Sequence, residues 1–313
     1  MINPRLHQTP ANEDLRVFTV VARRASFAGA AEELGVSPAY VSKRLRVLEQ
    51  VLDTRLLHRS TRRVAVTEDG ERVYQWALTI LDDIDHLMQA VSITRSVPRG
   101  SLRICSSFGF GRQVLASAIS QLQLTYPALQ VRLELFDRLV DVASEGFDLD
   151  IRVGDEIAPH LIARRLADNH RILCAAPSYL AARGTPRSFT ELAQHDCLVI
   201  KERDQPFGVW LLRRGQEQHS VKVTGPLSTN HGEIAVQWAL DGRGILLRSI
   251  WNVAPLLASG QLLRVLPDYA LEANVWAVYP SRLGNSAKVR VAVEFLHAYL
   301  QEHLQELLGG QVA

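Results

Sequence analysis

The sequence predicts an α/β protein with an N-terminal all-α winged helix-turn-helix, a long linker helix and a larger C-terminal α/β region. Three observations predict this fold class. First, two short capped helices with a tight glycine turn precede two basic, β-prone runs. Second, an uninterrupted amphipathic segment covers residues 68–92. Third, strand-like and helix-like runs alternate beyond residue 100. Such alternation is typical of α/β units with largely parallel sheets.

The N-terminal helices are marked by capping residues. We expect a first helix after Asn12 as its N-cap, and a second, short helix capped by Ser26. Gly35 suits the left-handed C-terminus of the second helix. Ser37 then caps a third helix and Pro38 takes its first position, where a missing N–H costs nothing. Two helices joined by a tight turn are typical of a helix-turn-helix, and we expect Ser26, Ser37 and Pro38 to contact DNA as well.

The third helix has two unlike faces. One is an apolar stripe at helical spacing, formed by Val41, Leu45, Leu48 and Leu52. The opposite face has small, hydroxyl and basic side chains and no acid: Ala39, Ser42, Lys43, Arg46 and Gln50. We expect Arg46 and Lys43 to hydrogen-bond guanine edges, and Tyr40 or Ala39 to touch a thymine methyl. The alternative is a solvated helix face.

The segment Arg55–Val66 predicts a basic wing, because two short β-prone runs flank a basic turn. The net charge of the whole chain is only +2, but residues 37–66 carry seven basic side chains against two acidic ones. We expect Arg59, Arg62 and Arg63 to hold phosphates or enter a minor groove. For Arg55 the alternative to a DNA contact is a structural role.

Thr67 is expected to cap the long linker helix. The apolar positions of this helix are spaced alternately by four and three residues: Val73, Ala77, Ile80, Ile84, Leu87 and Val91. Heptad spacing of this kind predicts a dimer seam, with packing on the helix's own domain as the alternative.

The C-terminal region begins after a linker at 97–100. The expected strands are Leu102–Cys105, Val131–Phe136, Leu149–Val153, Ile172–Ala175, Leu198–Lys201, Ile245–Leu247, Leu262–Val265 and Val275–Tyr279. Helices are expected over Arg112–Tyr126 and from Lys288 to about Leu308.

Several classes of protein are disfavoured. There is no GxSxG or HExxH motif, so neither a hydrolase nor a metal-dependent enzyme is predicted, and no cofactor is expected. The three cysteines form no CxxC pair and are interpreted as small buried residues, with no zinc site or disulfide. No run approaches the ~20 apolar residues of a membrane span and no secretory signal is apparent, so a cytoplasmic protein is expected.

The segment from Phe18 to Gly70, which includes "SFAGAAEELGVSPAYVSKRLRVLE" and "TEDG", closely resembles the DNA-binding domain of LysR-type transcriptional regulators. "GFDLDIRVG" and "LIARRLADNHRILCAAPSYL" extend the resemblance towards the C-terminus, in a version that resembles the large branch of the family that includes activators of malate and tartrate catabolism genes.

The resemblance implies a homo-oligomer, a dimer or tetramer, with RNA polymerase as a further partner. It implies a winged helix-turn-helix at 12–67, a linker helix at 68–94 and an effector domain at 95–313. Two periplasmic-binding-protein-like subdomains are expected in that domain: the first at about 100–163 and 266–308, the second at about 164–265. An inducer would lie between them.

The expected effector is a small organic acid, because hydroxyls and backbone N–H groups after strands suit a carboxylate. The candidates after strands or at their ends are Ser106, Ser107, Phe108, Lys201, Thr229 and Asn230. A plain N-cap is the alternative for the serines. Arg152 is expected to project either to the cleft or to solvent. Arg248 lies where the family usually has a Leu-Pro sequence, and it is expected to be either an anion ligand or a surface cation. The competing function is an architectural DNA-binding protein that ignores small molecules.

Overall fold

The computed structural model describes residues 9–60, 63–91, 98–201, 207–283 and 286–308. The chain divides into two compact units, Met1–Thr94 and Arg95–Ala313. None of the helices within the described ranges is long and apolar enough to cross a lipid bilayer.

The N-terminal unit is a winged helix-turn-helix followed by a long helix. In chain order its described elements are α1 (Asn12–Arg24), α2 (Phe27–Leu34), α3 (Pro38–Leu52), β1 (Leu57–Ser60), β2 (Arg63–Val66) and α4 (Glu68–Val91). β1 and β2 pair antiparallel as the two strands of the wing. The N-terminal fold class predicted from the sequence is confirmed.

Side-chain caps begin three of these helices as predicted. Ser26, Ser37 and Thr67 each accept a hydrogen bond on the hydroxyl oxygen from a backbone N–H three residues later, at 2.9–3.2 Å. The expectation for Asn12 is wrong by one position. Ala11 takes the extended N-cap conformation there without a side-chain cap, and Asn12 is already helical.

The core of the N-terminal unit lies where α1, α2, α3 and the first half of α4 meet. Its fully buried side chains include Phe18, Leu45 and Leu48. Glu49 is also buried, and its Oε1 accepts the backbone N–H of Leu56 at 3.0 Å. This hydrogen bond joins the end of α3 to the residue that leads into the wing.

The C-terminal unit contains two lobes, each built on its own sheet. The described strands are β3 (Gly100–Ser106), β4 (Leu129–Leu135), β5 (Leu149–Val153), β6 (Leu161–Ala167), β7 (His170–Ala175), β8 (Cys197–Ile200), β9 (Val209–Arg214), β10 (Glu217–Lys222), β11 (Ser228–Thr229), β12 (Ile245–Ser249), β13 (Leu263–Glu272) and β14 (Val275–Pro280). The α-helices are α5 (Phe108–Phe110), α6 (Ala116–Thr125), α7 (Pro177–Arg183), α8 (Gly232–Leu240), α9 (Ile250–Ala258) and α10 (Ala287–Leu308). A π-helical turn, Gly111–Leu115, joins α5 to α6, and 3₁₀ turns lie at Phe189–Gln194 and Ser281–Leu283.

The first lobe has the strand order β4-β3-β5-β14-β6. Helices α6 and α10 contribute apolar side chains to its core, among them Leu122, Leu296 and Leu300. The second lobe has the order β10-β9-β13-β7-β12-β8-β11, with cores that include side chains of α8 and α9.

Both sheets are mixed, and the prediction of largely parallel sheets is wrong. In the first lobe β3 is parallel to β4 and β5, but β14 is antiparallel to both of its neighbours. In the second lobe β12 is parallel to β8 and antiparallel to β7, while β13 is antiparallel to β7 and β9. In the first lobe the antiparallel pairs involve β14, which returns to the sheet after the second lobe. In the second lobe β9 and β10 are consecutive strands that pair antiparallel.

The crossings lie a few residues beyond the expected subdomain limits near 163 and 266. The first-lobe strand β6 ends at Ala167 and the second-lobe strand β7 begins at His170. On the return, β13 ends at Glu272 and β14 begins at Val275. Sequence reasoning did not predict β6, which shifted the first limit.

The two crossing segments are hydrogen-bonded to each other. The Asn169 side-chain Nδ2 donates to the carbonyl oxygen of Ala273 at 2.6 Å, and the Asn169 backbone N–H donates to Oδ1 of Asn274 at 3.2 Å. Both asparagines are buried. They therefore hold the two connections between the lobes side by side.

The cysteines Cys105, Cys174 and Cys197 are all buried, as predicted. Burial raises the pKa of the Cys174 and Cys197 thiols to about 12. These two thiols therefore stay protonated at physiological pH, where a protonated thiol is a poor nucleophile and a poor metal ligand.

Candidate functional site

The outward face of α3 is accessible, as its sequence pattern predicts. Pro38, Ala39, Lys43 and Arg46 are exposed, whereas Ser42 is half-buried. Of the opposite stripe, Val41, Leu45 and Leu48 are fully buried and Leu52 is half-buried. The helix is thus anchored by one face and presents small and basic side chains on the other, an arrangement suited to a major groove.

Tyr40 and the neighbouring Arg44 also connect α3 to α1. The Tyr40 hydroxyl donates to the Glu13 carboxylate, and this hydrogen bond raises the pKa of Tyr40. Arg44 forms an ion pair with the buried Asp14, at 2.6 Å between Nε and Oδ1. The Tyr40 hydroxyl thus has a partner inside the unit, while its half-buried ring remains the part that can meet a thymine methyl.

Ser26 and Ser37 stand at the N-termini of α2 and α3. Their hydroxyl oxygens accept the capping hydrogen bonds described above, and a hydroxyl that accepts can still donate its own hydrogen. Helix N-termini also present backbone N–H groups to anions. Both serines are therefore placed to contact phosphates as well as to cap.

The wing arginines are only partly described. Arg59 lies in β1 and Arg63 is the first residue of β2, where it pairs in register with Ser60. Arg62 lies outside the described residues, so the sequence prediction for it stays a prediction.

The apolar positions of α4 serve two different surfaces. Ala77 is 1% exposed, so it packs on its own unit, which is the alternative that the sequence left open. Val73 is half-buried against the same core, and its seam role stays a prediction. Ile80 and Leu87 are 40% and 62% exposed, and Trp76, which the heptad pattern missed, is 68% exposed. Ile84 is half-buried, and the side chain of Val91 lies outside the described residues. Trp76, Ile80 and Leu87 are therefore the exposed large apolar side chains on the described part of α4, and the dimer seam stays a prediction.

A cavity of about 350 Å³ lies between the two lobes of the C-terminal unit. Of the predicted effector residues, four line it: Ser107, Arg152, Lys201 and Asn230. Ser107 is at the N-cap position of α5 but makes no side-chain capping hydrogen bond, so the plain N-cap alternative is wrong for this residue.

Three predicted effector residues lie outside the cavity lining. Ser106 is fully buried and its hydroxyl donates to the Ile151 carbonyl oxygen at 2.6 Å, so it connects β3 to β5 within the sheet. The Thr229 hydroxyl accepts the backbone N–H of His231 at 3.0 Å in a local turn. The Phe108 ring packs on the His231 ring at 5.3 Å between centroids. These side chains shape the surroundings of the cavity.

Arg152 points to the cavity wall, but its charge is matched by its own sheet. It is 6% exposed, and its Nε and Nη2 lie 3.1 and 3.0 Å from Oδ2 of the fully buried Asp150. Its Nη1 donates to the Glu156 carbonyl oxygen at 3.0 Å. The guanidinium is therefore held in place as part of a buried ion pair.

Sequence reasoning missed several polar side chains of the lining. The missed cations are Arg171 and Arg213, and the missed carboxylates are Asp137, Asp155, Glu156 and Glu272. The neutral groups include Gln218, Ser249 and Asn274. Arg171 is 8% exposed and lies in β7, one strand away from Arg248 in β12. A polar residue within an otherwise apolar strand such as β7 could have indicated these side chains in the sequence. Which face of the strand meets the cavity, however, is determined by the neighbouring strands.

A chain of hydrogen bonds crosses from one lobe to the other beside the cavity. Arg112 of the first lobe forms an ion pair with Glu233 of α8, with Nε 3.0 and 3.1 Å from the two carboxylate oxygens. Gln113 donates to Glu233 at 2.8 Å and accepts from Asn252 of α9 at 2.8 Å. Asn252 in turn accepts from Nε of Arg248 at 2.6 Å.

Glu233, the carboxylate in this chain of hydrogen bonds, stays ionised. Partial burial alone would raise the pKa of Glu233, but the hydrogen bonds from Arg112 and Gln113 outweigh burial and hold that pKa below its ordinary value. The contact between the lobes is therefore a charged one at neutral pH.

Two family models match the chain. The model described as "Bacterial regulatory helix-turn-helix protein, lysR family" matches residues 12–71, and the model described as "LysR substrate binding domain" matches residues 95–301.

Similar proteins of known name are transcription regulators. The HTH-type transcriptional regulator DmlR of Escherichia coli is 60% identical over 298 residues, covering 95% of this chain and 97% of the relative. The HTH-type transcriptional activator TtdR of Escherichia coli is 52% identical over 299 residues, covering 96% of each. Among solved structures, the LysR-type regulator CrgA of Neisseria meningitidis is 29% identical with a TM-score of 0.58, over 94% of this chain and 99% of that one.

These relatives are regulators rather than enzymes, and they match the helix-turn-helix and the two-lobed unit together. The chain therefore belongs to the LysR family: it is a DNA-binding transcription regulator with an N-terminal winged helix-turn-helix and a C-terminal effector-binding domain.

Proposed function

We propose that this regulator controls transcription in the cytoplasm in response to a small organic anion, a hydroxylated dicarboxylate, bound between its two lobes. The observation that carries this proposal is the composition of the cavity. The described lining carries five cations against four carboxylates, and it adds the hydroxyl of Ser107 and the amides of Asn230 and Asn274. The cations are Arg152, Arg171, Lys201, Arg213 and Arg248, and the carboxylates are Asp137, Asp155, Glu156 and Glu272. Cations suit carboxylates, and hydroxyl and amide groups suit the hydroxyl of the ligand.

The size of the cavity supports a small ligand. At about 350 Å³ it is at the lower end of the range of roughly 300–1,000 Å³ for ligand pockets. The resemblance to regulators of malate and tartrate catabolism points to the same class of compound. A ligand that contacts both lobes favours the arrangement in which the lobes are close, because it binds that arrangement more tightly.

The DNA-binding part of the proposal assigns base contacts to Lys43 and Arg46 on the exposed face of α3. Phosphate contacts are assigned to Ser26, Ser37 and the wing arginines. We propose a dimer, or a tetramer built from dimers, formed through α4, and contact with RNA polymerase at the promoter. The exposed apolar stripe of α4 supports the dimer.

Titration calorimetry on the full-length protein tests the effector. We expect binding of malate or tartrate, weaker binding of succinate because it lacks the hydroxyl, and no binding of benzoate. Ser107→Ala removes a hydroxyl that caps no helix, so it should weaken dicarboxylate binding without unfolding the lobe.

Two results would contradict this assignment: binding of benzoate alone, or dicarboxylate binding by Ser107→Ala as tight as by the wild type. If none of the acids binds and none alters operator binding in gel shifts, the chain acts on DNA without a small organic acid.

A further inference from the structure

Ser249 stands at the wall of the cavity between the lobes, where β12 ends and α9 begins. It lines this cavity although the residue as a whole is only 4% exposed. Buried polar groups in proteins are hydrogen-bonded as a rule, so the partners of this hydroxyl determine what it can offer to a ligand.

The oxygen of the Ser249 hydroxyl already accepts a hydrogen bond. Nδ2 of Asn169 donates to Oγ of Ser249 at 3.2 Å and to the carbonyl oxygen of Ala273 at 2.6 Å. Because a carbonyl oxygen can only accept, the bond to Ala273 fixes the Asn169 amide with its nitrogen towards Ser249. Asn169 is itself buried and lies in the first segment that crosses between the lobes. The hydroxyl hydrogen of Ser249 is therefore left to donate elsewhere.

That hydrogen has no acceptor among the residues that the structure describes. Ser249 is the N-cap residue of α9, but its side chain makes no capping hydrogen bond. Ser106, at the end of β3 in the other lobe, differs in this respect, because its hydroxyl donates to the Ile151 carbonyl oxygen within the sheet. Ser249 thus brings an unused donor to the cavity wall, and such a donor is costly unless a ligand or a water molecule accepts it.

The first turn of α9 adds further donors at the same place. The first N–H groups of an α-helix have no acceptor within the helix, and residues 250–252 are buried here. Nε1 of Trp251, which belongs to the cavity lining, is also buried and has no hydrogen-bond partner within the described ranges. Donors gathered at the positive end of a helix dipole favour a ligand group that only accepts and carries negative charge.

We propose that Ser249 binds one carboxylate of the effector. The hydroxyl donates its hydrogen to a carboxylate oxygen at the N-terminus of α9. Because the same hydroxyl accepts from Asn169, the bound carboxylate is connected through one side chain to the segment where the chain crosses between the lobes. This inference rests on the proposed function, because it names a contact residue for the organic anion in the second lobe.

Three variants isolate the contribution of the hydroxyl. Ser249→Ala removes it and leaves Nδ2 of Asn169 its hydrogen bond to Ala273, so the crossing segments stay connected. Ser249→Cys fills a similar space but offers only a weak donor. The matched control is Ser220→Ala, which removes an exposed hydroxyl in β10 outside the cavity lining.

Calorimetry on the full-length protein, with malate and succinate as the probes, gives the test. Ser249→Ala should weaken the binding of both acids by a similar factor, about 10- to 100-fold, which is the range for a hydrogen bond to a charged group. Ser249→Cys should weaken both in the same direction, and Ser220→Ala should bind both like the wild type. Circular dichroism and the thermal unfolding midpoint without ligand show whether each variant is folded.

The outcomes separate this inference from the proposed function. If the wild-type protein binds malate and Ser249→Ala binds both acids as tightly, Ser249 does not contact the effector, although the effector proposal stands. A loss confined to malate would mean that Ser249 contacts the hydroxyl of the ligand, which overturns the assignment to a carboxylate. If the wild-type protein binds neither acid, the proposed effector class is wrong and the role of Ser249 falls with it.

Discussion

The surroundings of each arginine determine what that residue can do in this protein. Arg44 is occupied by the buried Asp14 and Arg152 by the buried Asp150, so both stabilise the fold around them. Arg46 projects from the exposed face of α3. The same guanidinium group is therefore structural at Arg44 and Arg152 and exposed on α3 at Arg46.

The exposed position of Arg46 leads to a prediction about DNA recognition. Arg46→Ala should cost about 1–3 kcal/mol on the cognate operator and relax specificity, because a base-edge contact is lost. Arg62→Ala should weaken binding to all sequences more evenly and flatten the dependence on salt, because a phosphate contact releases counterions.

Gel shifts on cognate and unrelated DNA at several salt concentrations check both variants. Wild-type affinity in both would show that neither α3 nor the wing touches DNA through these residues.

At the scale of elements, α4 has two functional faces along one helix. Its first half buries Ala77 against the helix-turn-helix, and Trp76, Ile80 and Leu87 are exposed on another side. A dimer formed through that exposed stripe would attach directly to the DNA-binding core, because the same helix packs in both.

The two faces of α4 predict opposite results for matched substitutions. Leu87→Glu places a charge in the proposed seam and should dissociate the dimer while the N-terminal unit stays folded. Ala77→Glu places an unpaired charge in a buried core, so it should unfold that unit at a cost of several kcal/mol.

Sedimentation measures the dimer, and circular dichroism measures folding. A Leu87→Glu variant that stays dimeric with normal affinity for paired half-sites would place the seam elsewhere.

The contact between the lobes predicts a pH dependence. The pKa of Glu233 is lowered in the folded protein, so its ion pair with Arg112 contributes stability above the unfolded pKa of about 4.3 and loses it as the pH falls through the folded pKa. Because Arg112 is largely exposed, solvent screening keeps this contribution small.

Chemical denaturation of the wild type and Glu233→Gln from pH 8 to 3 checks this. The difference in unfolding free energy should be constant from pH 8 to 5 and shrink at lower pH. A difference that grows on acidification would contradict the assignment.

Local chemistry explains which features could be predicted from the sequence. The caps at Ser26, Ser37 and Thr67 depend on residues three positions away, and the alternation of strands and helices depends on short runs. The burial of Ala77 could not be predicted, because a heptad pattern does not say which partner covers it. The cavity role of Arg171 likewise depends on which face of β7 meets the other lobe, and distant segments of the chain determine that.

For the whole molecule, the division into two compact units predicts two events on heating. Unfolding of the N-terminal unit should depend on protein concentration if the proposed dimer forms through α4, because association stabilises the folded state. Unfolding of the C-terminal unit should instead depend on the effector. Malate at a hundredfold excess over its Kd should raise that second midpoint by about 5–10 °C.

Differential scanning calorimetry on the full-length protein, at two protein concentrations with and without malate, checks both dependences. A single transition that responds equally to protein and ligand would mean that the two units unfold together.

The position of β14 has a consequence for the order in which the protein is made. In the sheet β14 lies between β5 and β6, but it is synthesised only after both of them and after the whole second lobe. Helix α10, which buries Leu296 and Leu300 in the same core, comes later still. A ribosome therefore releases the complete helix-turn-helix long before the first lobe can close, and β5 and β6 wait with unpaired edges. A chain cut short by premature termination or proteolysis would keep its DNA-binding unit and lose its sensor. Such fragments would occupy operators, or pair with intact chains, without answering to the effector.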